Sequence, residues 1–443
     1  MLAAKGLIMT RRRTGSLVSP RNQWNLLDPD VLAWHGRIGF SVDFMRDLVE
    51  FRLLVEPRAA ALAAQYATPE QIARIGDAAE VMRRNIRIRT AFSAAEIAFH
   101  VAVFAASGNG LLDRLSTIVA PLLQIGSVVP SGMEINHAWA VGRHDRVFMA
   151  IAERDAEAAQ AMMYEVLAVH LAEVDSTARR NRDAVVPDGD AIPDDGWAGA
   201  LITVDGLYPS RALHGKVAHL LGTQIVSGIF REGATLPKEA ELAGKYKVSR
   251  QAVREALKVL AAKGLVATRR RAGTSVVPRE DWNLLDPDVV AWHRPQDLPR
   301  DFLDDLVELR RLVEPAAAAI AAERRTLVQL QRISMATTAM RHASDLSEWV
   351  AADVAFHIGV AAASGNTLIE SLSRVLAPLL EASIRERSEV ASVPMVAVNR
   401  HVAIEEAIRD GDAEAARKAT VAMLDMADRQ LQQSAAGGLR RPA

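Results

Sequence analysis

The sequence has no cysteine among its 443 residues, which excludes disulfides, thiolate metal sites and cysteine nucleophiles at once. Aromatic residues are scarce at 5%, whereas half of the chain is apolar. With alanine and leucine dominating, that balance favours packed helices over sheets. No stretch of 18 uncharged apolar residues occurs, so no membrane span is expected. No basic-then-apolar leader opens the chain, and the expected location is cytoplasmic. Neither charge is in excess, with 53 Lys and Arg against 54 Asp and Glu, which leaves room for a locally basic surface. The length suggests about two to four domains.

What is present is a long repeat. Residues 2–35 (LAAKGLIMTRRRTGSLVSPRNQWNLLDPDVLAWH) match 260–293 at 25 of 34 positions, with an offset of 258. LVEFRLLVEP (48–57) returns as LVELRRLVEP (306–315), and EIAFHVAVFAASGN (96–109) as DVAFHIGVAAASGN (353–366). The period is too long for a solenoid, so each copy is read as a domain. Both copies carry apolar residues at helical spacing, as in LLDRLSTIVAPLLQI, with breakers such as ATPEQ and SGNG between them. Residues 211–259 occur only before the second copy.

That unpaired segment carries the first functional signal. ALHGKVAHLLGTQIVSGIF is amphipathic, and LPKEAELAGKY is a short second helix with Pro237 placed where helices start. In VSRQAVREALKVLAAKGLV, Ser249 is a natural N-cap, and Ala252, Val253, Ala256, Leu257 and Leu260 form the expected buried stripe. Arg250, Gln251 and Arg254 then fall near the helix N-terminus, off the apolar face. A helix-turn-helix needs polar and cationic side chains there, where the second helix meets base edges and phosphates. VATRRRAGTSVVP follows as a hairpin wing turning at Ala272-Gly273, with Arg269, Arg270 and Arg271 set to meet the DNA backbone or minor groove.

The expected fold is therefore mainly α: two all-α helical-bundle effector domains flanking one winged helix-turn-helix with a small β wing. Residues 1–35 are read as the remnant of a first wing and connector, and 36–177 as the first all-α domain. Residues 178–210, rich in Asp, Gly and Pro, are a linker with a short extended stretch at Ala200–Val204. Residues 211–280 are the DNA-binding domain, 281–433 the second all-α domain and 434–443 a tail expected to be disordered.

LPKEAEL, SRQAVREALKVLAAKGLV and the RRRAGTSV wing resemble the GntR family of bacterial transcription regulators. The helical domains resemble the effector-binding (FCD) domain of its FadR branch. PREDWNLLDPDVVAW with LRRLVEP, and PRNQWNLLDPDVLAW in the first copy, resemble the sugar-acid regulators typified by the galactonate-operon repressor. The resemblance implies a non-enzymatic regulator, a repressor of a sugar-acid operon that leaves its double-stranded DNA operator when a small carboxylate binds.

Asp353 and His357 lie four apart on one helix face, and His401 begins another helix. Such a trio can hold Zn, Mn or Ni, and the same spacing also serves a plain salt bridge. The family resemblance implies a metal set of this kind with a further histidine on the last helix, where Met423 or a neighbour stands. With three protein ligands, the remaining positions would be open to water or a hydroxy acid. Arg310 and Arg387, the latter in competition with Arg385, are the candidate carboxylate forks.

The first copy is altered. Arg52, His100 and His144 match Arg310, His357 and His401, but Glu96 replaces Asp353. Val128 and Pro130 stand where Arg385 and Arg387 stand, and the last helix offers Val166 or His170. This copy is expected to keep a metal, lose its acid effector and serve as a dimerisation partner. The chain is expected to form a homodimer or an intrachain pseudo-dimer. Copy one begins at Met1-Leu2, aligned with Val259-Leu260, and the expectation is that upstream nucleotides encode a missing reader in frame. Two alternatives belong to other classes. A metal-dependent hydrolase would use Asp353, His357 and His401 with His219 or a glutamate as base. A scaffold or anti-regulator would heterodimerise with a full-length relative, without salt-sensitive operator binding.

Overall fold

The computed structural model describes residues 41–126, 137–183, 213–269, 273–279, 282–293, 300–387 and 395–437, with parts of 2–34. Among its described residues, copy one contains a hairpin of β1 (Ile8–Arg11) and β2 (Gly15–Val18) and the helices α1 (Val42–Tyr66), α2 (Pro69–Arg84), α3 (Arg89–Ala105), α4 (Gly110–Gly126), α5 (His137–Ala152) and α6 (Ala156–Asp183). The DNA-binding unit follows as α7 (Leu213–Val226), α8 (Glu239–Tyr246), α9 (Arg250–Ala262), β3 (Val266–Arg269) and β4 (Gly273–Val276). A connector helix α10 (Pro287–Trp292) leads to α11 (Arg300–Arg324), α12 (Leu327–His342), α13 (Leu346–Ala363), α14 (Thr367–Arg387), α15 (Met395–Asp410) and α16 (Ala413–Gly437). The mainly α architecture expected from composition and periodicity is what the chain adopts.

Identical local chemistry builds the two bundles. Thr68 and Gln71 form a capping box at the start of α2, and Thr326 and Gln329 repeat it on α12. The SGN motif does the same for the next pair: Asn109 Oδ1 accepts from Leu111 and Leu112 N, and Asn366 Oδ1 from Leu368 and Ile369 N. In each bundle the first and last helices pack together, α1 on α6 and α11 on α16. Helix α13 has the length and mean hydropathy (1.2) of a membrane span, but 56% of it is buried in the bundle.

Some boundaries differ from expectation. Helix α6 continues to Asp183, past 177, and α16 to Gly437, past 433. Ala200–Val204 lies outside the described residues. Pro237 precedes the N-cap Lys238 rather than opening α8, and Ala252 is only half-buried. His401 sits in the second turn of α15, because that helix starts at Met395.

The two bundles meet face to face in an arrangement that repeats itself residue for residue. Asn109 Nδ2 donates to Asp305 O (3.3 Å) and Glu308 Oε2 (3.1 Å). Its counterpart Asn366 Nδ2 donates to Asp47 O (2.9 Å) and Glu50 Oε2 (3.2 Å). Asp305 Oδ2 accepts from Gly110 N (2.8 Å), and Asp47 Oδ2 from Thr367 N (2.9 Å). Each carboxylate thus caps the first turn of a helix in the other copy. The ion pairs Arg58–Glu308 and Arg324–Glu50 flank the contact at 2.6 Å. One apolar core runs through it, joining Phe51, Leu112 and Leu115 to Leu309, Leu368 and Leu372. This is the self-complementary geometry of a two-fold dimer, realised inside one chain.

The remnant hairpin keeps the register of the complete wing, with Ile8 opposite Val18 as Val266 is opposite Val276. Its solvent exposure differs. Val18 is 73% exposed and Val276 2%. In the complete unit, Gly233 N donates to Val276 O, Val276 N donates to Ala234 O, Thr235 bridges to Ser275, and α7–α9 fill the face above.

Candidate functional sites

In the DNA-binding unit, Ser249 Oγ accepts from Ala252 N at 3.1 Å and starts α9. Lys247, at φ 53°, supplies the left-handed residue that turns the chain from α8 into it. Val253, Ala256, Leu257 and Leu260 face the core, so Arg250, Gln251 and Arg254 stand exposed on the opposite side. Arg254 is engaged: its guanidinium donates to both oxygens of Glu239 on α8, at 2.9 and 3.3 Å. Arg269 is exposed on β3. Gly273 takes φ 86°, where a side chain would be strained. Arg270 and Arg271 lie outside the described residues.

The unit is tied to the connector at two points. Lys263, the C-cap of α9, places Nζ 2.7 Å from Asp286 Oδ1 and 2.8 Å from Asp288 Oδ2. Burial disfavours the Lys263 charge, but these carboxylates outweigh it and raise its pKa. Asp286 also N-caps α10. Beside it, Gly222 of α7 lies so close to Trp292 that a Cβ there would approach the indole to 2.3 Å.

In copy two the structure brings Asp353 and His357 of α13 and His401 of α15 together, with one potential ligand atom from each lying within 4.8 Å of the others. His401 Nδ1 lies 2.8 Å from Ala397 O, which can only accept, so the proton sits on Nδ1. Nε2 then turns its lone pair toward Asp353 Oδ1 at 3.0 Å. That contact is favourable only with a second proton or with a cation between the two atoms. His401 Nε2 and Asp353 Oδ2 are buried without an aligned hydrogen-bond partner. Burial lowers the His401 pKa, but Asp353 outweighs it and the net shift is upward, which favours the second proton. Burial likewise raises Asp353, but His401 and His357 bring it below its ordinary value.

The other nitrogen of His357 is fixed by Glu314 of α11, with Nδ1 3.1 Å from Oε2. Arg310 Nε donates to the same carboxylate at 2.6 Å. A carboxylate behind a histidine sets its tautomer and leaves Nε2 for a metal. Burial pushes Glu314 up, and Arg310 and His357 pull it well below the carboxylate range. Arg310, Glu314 and His357 open onto a pocket of about 630 Å³, solvent included, whose further lining includes Ser373, Thr420 and Met423. Arg387 ends α14, and neither its side chain nor that of Arg385 is among the described ones.

Copy one assembles Glu96, His100 and His144 in the same way. His144 Nδ1 lies 2.8 Å from Ala140 O, and His144 Nε2 is 3.3 Å from His100 Nε2. Glu56 takes the place of Glu314, with His100 Nδ1 2.6 Å from its Oε2 and Arg52 donating to its Oε1. Burial would raise Glu56, but Arg52 and His100 bring it to about 2. His170 on α6 joins the electrostatic neighbourhood of Glu96, His100 and His144, and burial lowers both His144 and His170 to about 4.

Glu56 and Glu314 were not singled out from the sequence, although each closes the repeated LVE(F/L)R(L/R)LVEP. The repetition of a glutamate four residues after the arginine was the available signal. Ser373 and Thr420 left no signal; both are ordinary helix residues until the fold turns them toward the pocket.

Comparison with known proteins agrees with this architecture. The FCD domain family matches residues 47–169 and 305–426, and the gntR family of bacterial regulatory proteins matches 213–276. The galactonate operon transcriptional repressor of Escherichia coli K12 is 35% identical over 222 residues, covering 49% of this chain and 96% of the repressor. The HTH-type regulator YieP of the same organism is 31% identical over 231 residues, covering 52% of this chain and 99% of YieP. LutR of Bacillus subtilis is 34% identical over 169 residues, covering 38% of this chain and 74% of LutR. The chain belongs to the gntR family of DNA-binding transcription regulators, with two FCD domains placed around a single DNA-binding domain.

Proposed function

We propose that the chain represses a sugar-acid catabolic operon and is released from its operator by a small hydroxy-carboxylate bound in copy two. The observation that carries this reading is the buried Asp353–His401 contact, with His401 Nε2 facing Asp353 Oδ1 at 3.0 Å and Asp353 Oδ2 buried without a hydrogen-bond partner, beside a pocket lined by Arg310. The donor set of one carboxylate and two imidazoles suits Zn, Mn or Ni. Asp353, His357 and His401 would hold the ion, and it would supply a Lewis-acidic point for a carboxylate and its α-hydroxyl. Arg310 would add a charged donor, and Glu314 would keep both Arg310 and His357 in position. The likeness to the galactonate operon repressor supports aldonates as the effector class.

Arg250, Gln251 and the wing arginines would read the operator. Because the two FCD domains already pair within the chain, a palindromic operator would take two chains, each supplying one reader. The test is operator binding by fluorescence anisotropy, with D-galactonate, other aldonates and uronates titrated in, with and without EDTA. The expected result is a salt-sensitive complex that an aldonate dissociates only when metal is present. Operator binding indifferent to every acid, with or without metal, would overturn the reading.

A further inference from the structure

We propose that the β1–β2 hairpin of copy one is a second DNA contact, which holds the duplex by its phosphates without reading its sequence. Operator reading by α9 does not require such a contact, so the inference goes beyond the function proposed above.

The hairpin is anchored to its bundle as the complete wing is anchored to its own. Lys5 Nζ meets Asp28 Oδ1 at 2.6 Å, and Lys263 Nζ meets Asp286 Oδ1 at 2.7 Å. Trp24 Nε1 donates to Ser19 O at 2.8 Å, as Trp282 Nε1 does to Val277 O at 3.0 Å. Ser19 N donates to Leu7 O, as Val277 N does to Leu265 O. Leu27 and Leu32 enter the same apolar core as their counterparts Leu285 and Val290. The bundles themselves are exchanged by the paired contacts Asn109–Glu308 and Asn366–Glu50. The rotation that exchanges them therefore carries the complete wing onto the place of β1–β2.

Charge and register then match what a phosphate contact needs. Residues 2–27 contain five Lys and Arg and no Asp or Glu, in a chain whose net charge is −1. Lys5 is engaged by Asp28, and the other four are arginines. Arg11 ends β1 opposite Gly15, as Arg269 ends β3 opposite Gly273. Ser16, Leu17 and Val18 are exposed, so β2 is open to solvent along its length. Residues 12–14 lie outside the described part of the chain, and Arg11 is the cation that the strands place. Among the described residues no recognition helix accompanies β1–β2, so the hairpin offers charge to phosphates and nothing to base edges. Each chain then touches the duplex at two stretches, one read and one only held, separated by about one helical turn or a small multiple of it. Two linked contacts of this kind bind more tightly than either alone.

The test measures binding of the full chain to a random-sequence duplex of about 40 base pairs, by fluorescence anisotropy across salt concentrations. Each phosphate contact contributes about 0.9 to the slope of log K against log salt. Arg11→Ala should lower the slope by about 1, Arg269→Ala by about 1 and the double variant by about 2, whereas Arg11→Lys should keep the wild-type slope. On a duplex of about 10 base pairs, one helical turn and too short for both hairpins, Arg11→Ala should bind like the wild type. A wild-type slope for Arg11→Ala on the long duplex would overturn the proposal. So would an equal loss on the short duplex, which would put both arginines on one stretch, or an equal loss in Arg11→Lys, which would make the residue structural. A wild-type chain that binds neither duplex would count against DNA binding by the α9 unit as well.

Discussion

Lys263→Met tests whether the DNA-binding unit is held to the effector domain by one buried cation. The Lys263, Asp286 and Asp288 side chains are 3%, 5% and 40% exposed, and the ammonium meets three carboxylate oxygens at 2.7–2.8 Å. Methionine keeps the stem packed and removes only the charge. Asp286 is then left as a buried carboxylate whose pKa burial already raises. Stranding one partner of a buried pair costs about 3–5 kcal/mol. Because the pair joins the end of α9 to the start of α10, the loss should fall on local opening of the DNA-binding unit and leave the two bundles folded.

Hydrogen exchange read by mass spectrometry measures this directly. At about 1.4 kcal/mol per decade, protection of the α9 amides should drop by at least about a hundredfold, unless the unit's own stability caps the change sooner. Peptides from α1 and α13 should hold. Adding Asp286→Asn to Lys263→Met removes the stranded charge but keeps an oxygen to cap α10, so the double variant should recover most of the protection. The chain contains its own replicate: Lys5 and Asp28 form the same pair at 2.6 Å in the remnant, and Lys5→Met should loosen residues 2–28 alone. A change of under tenfold in α9 for Lys263→Met, or a double variant no better than the single, would refute the reasoning.

Gly222→Ala should destabilise the DNA-binding unit by about 1–3 kcal/mol, seen as a lower melting temperature for operator binding, because its methyl meets the Trp292 ring. Arg250→Ala should relax base preference at one operator position, whereas Arg269→Ala should weaken all sequences alike and lower the salt slope by about 1, both measured by anisotropy across salt concentrations. In the metal-free chain, His144 and His170 are held neutral, with pKa values near 4 against an ordinary 6.5. The unfolded state therefore takes up protons first, and copy one loses stability as pH falls from about 6.5 toward 4. In copy two the His401 pKa is raised, so its contribution is fully present below pH 6.5 and fades as pH rises through the folded value. Limited proteolysis between pH 7.5 and 5 should cut copy one first on acidification, and uniform cutting of both copies would contradict the assignment.

Much of this was legible before the fold was known, and the division between what was and was not has a physical basis. The wing, the Ser249 cap and the Asp353–His357 pair are local patterns, fixed by turn chemistry and a period of 3.6. His401 could be placed by likeness but its start of helix could not, because α15 begins at Met395, beside residues 388–394 that lie outside the described part of the chain. The sequence places Arg254 near the helix N-terminus and off the apolar face, and only the approach of α8 to α9 shows that Glu239 holds it. Duplication led to the expectation of a homodimer or an intrachain pseudo-dimer, but the contacts between the copies join residues more than 190 positions apart, as in Asn109–Glu308. No periodicity encodes which carboxylate caps which helix.

The placement of α14 explains how a pocket in copy two can be felt elsewhere. Its first turn is capped by Asp47 and followed by the pocket residues Ile369, Ser373, Leu376, Ala377 and Leu380. Helix α10 packs on α14 on one side and on α7 of the DNA-binding unit on the other. Helix α11 has the same double duty, with Glu308 at the inter-copy face two residues before Arg310 at the pocket. A ligand that merely fills the pocket shifts nothing; it acts only through the difference in its affinity for two arrangements of these helices. Moving such an equilibrium from 1:99 to 99:1 takes roughly a ten-thousandfold preference. A hydroxy acid bound as proposed, at once to an ion on α13 and α15 and to Arg310 on α11, would span three helices, so small relative movements of those helices would change several strong contacts together. The intrachain pairing sharpens this, because copy one offers α11 and α14 a fixed partner whose packing does not depend on chain concentration.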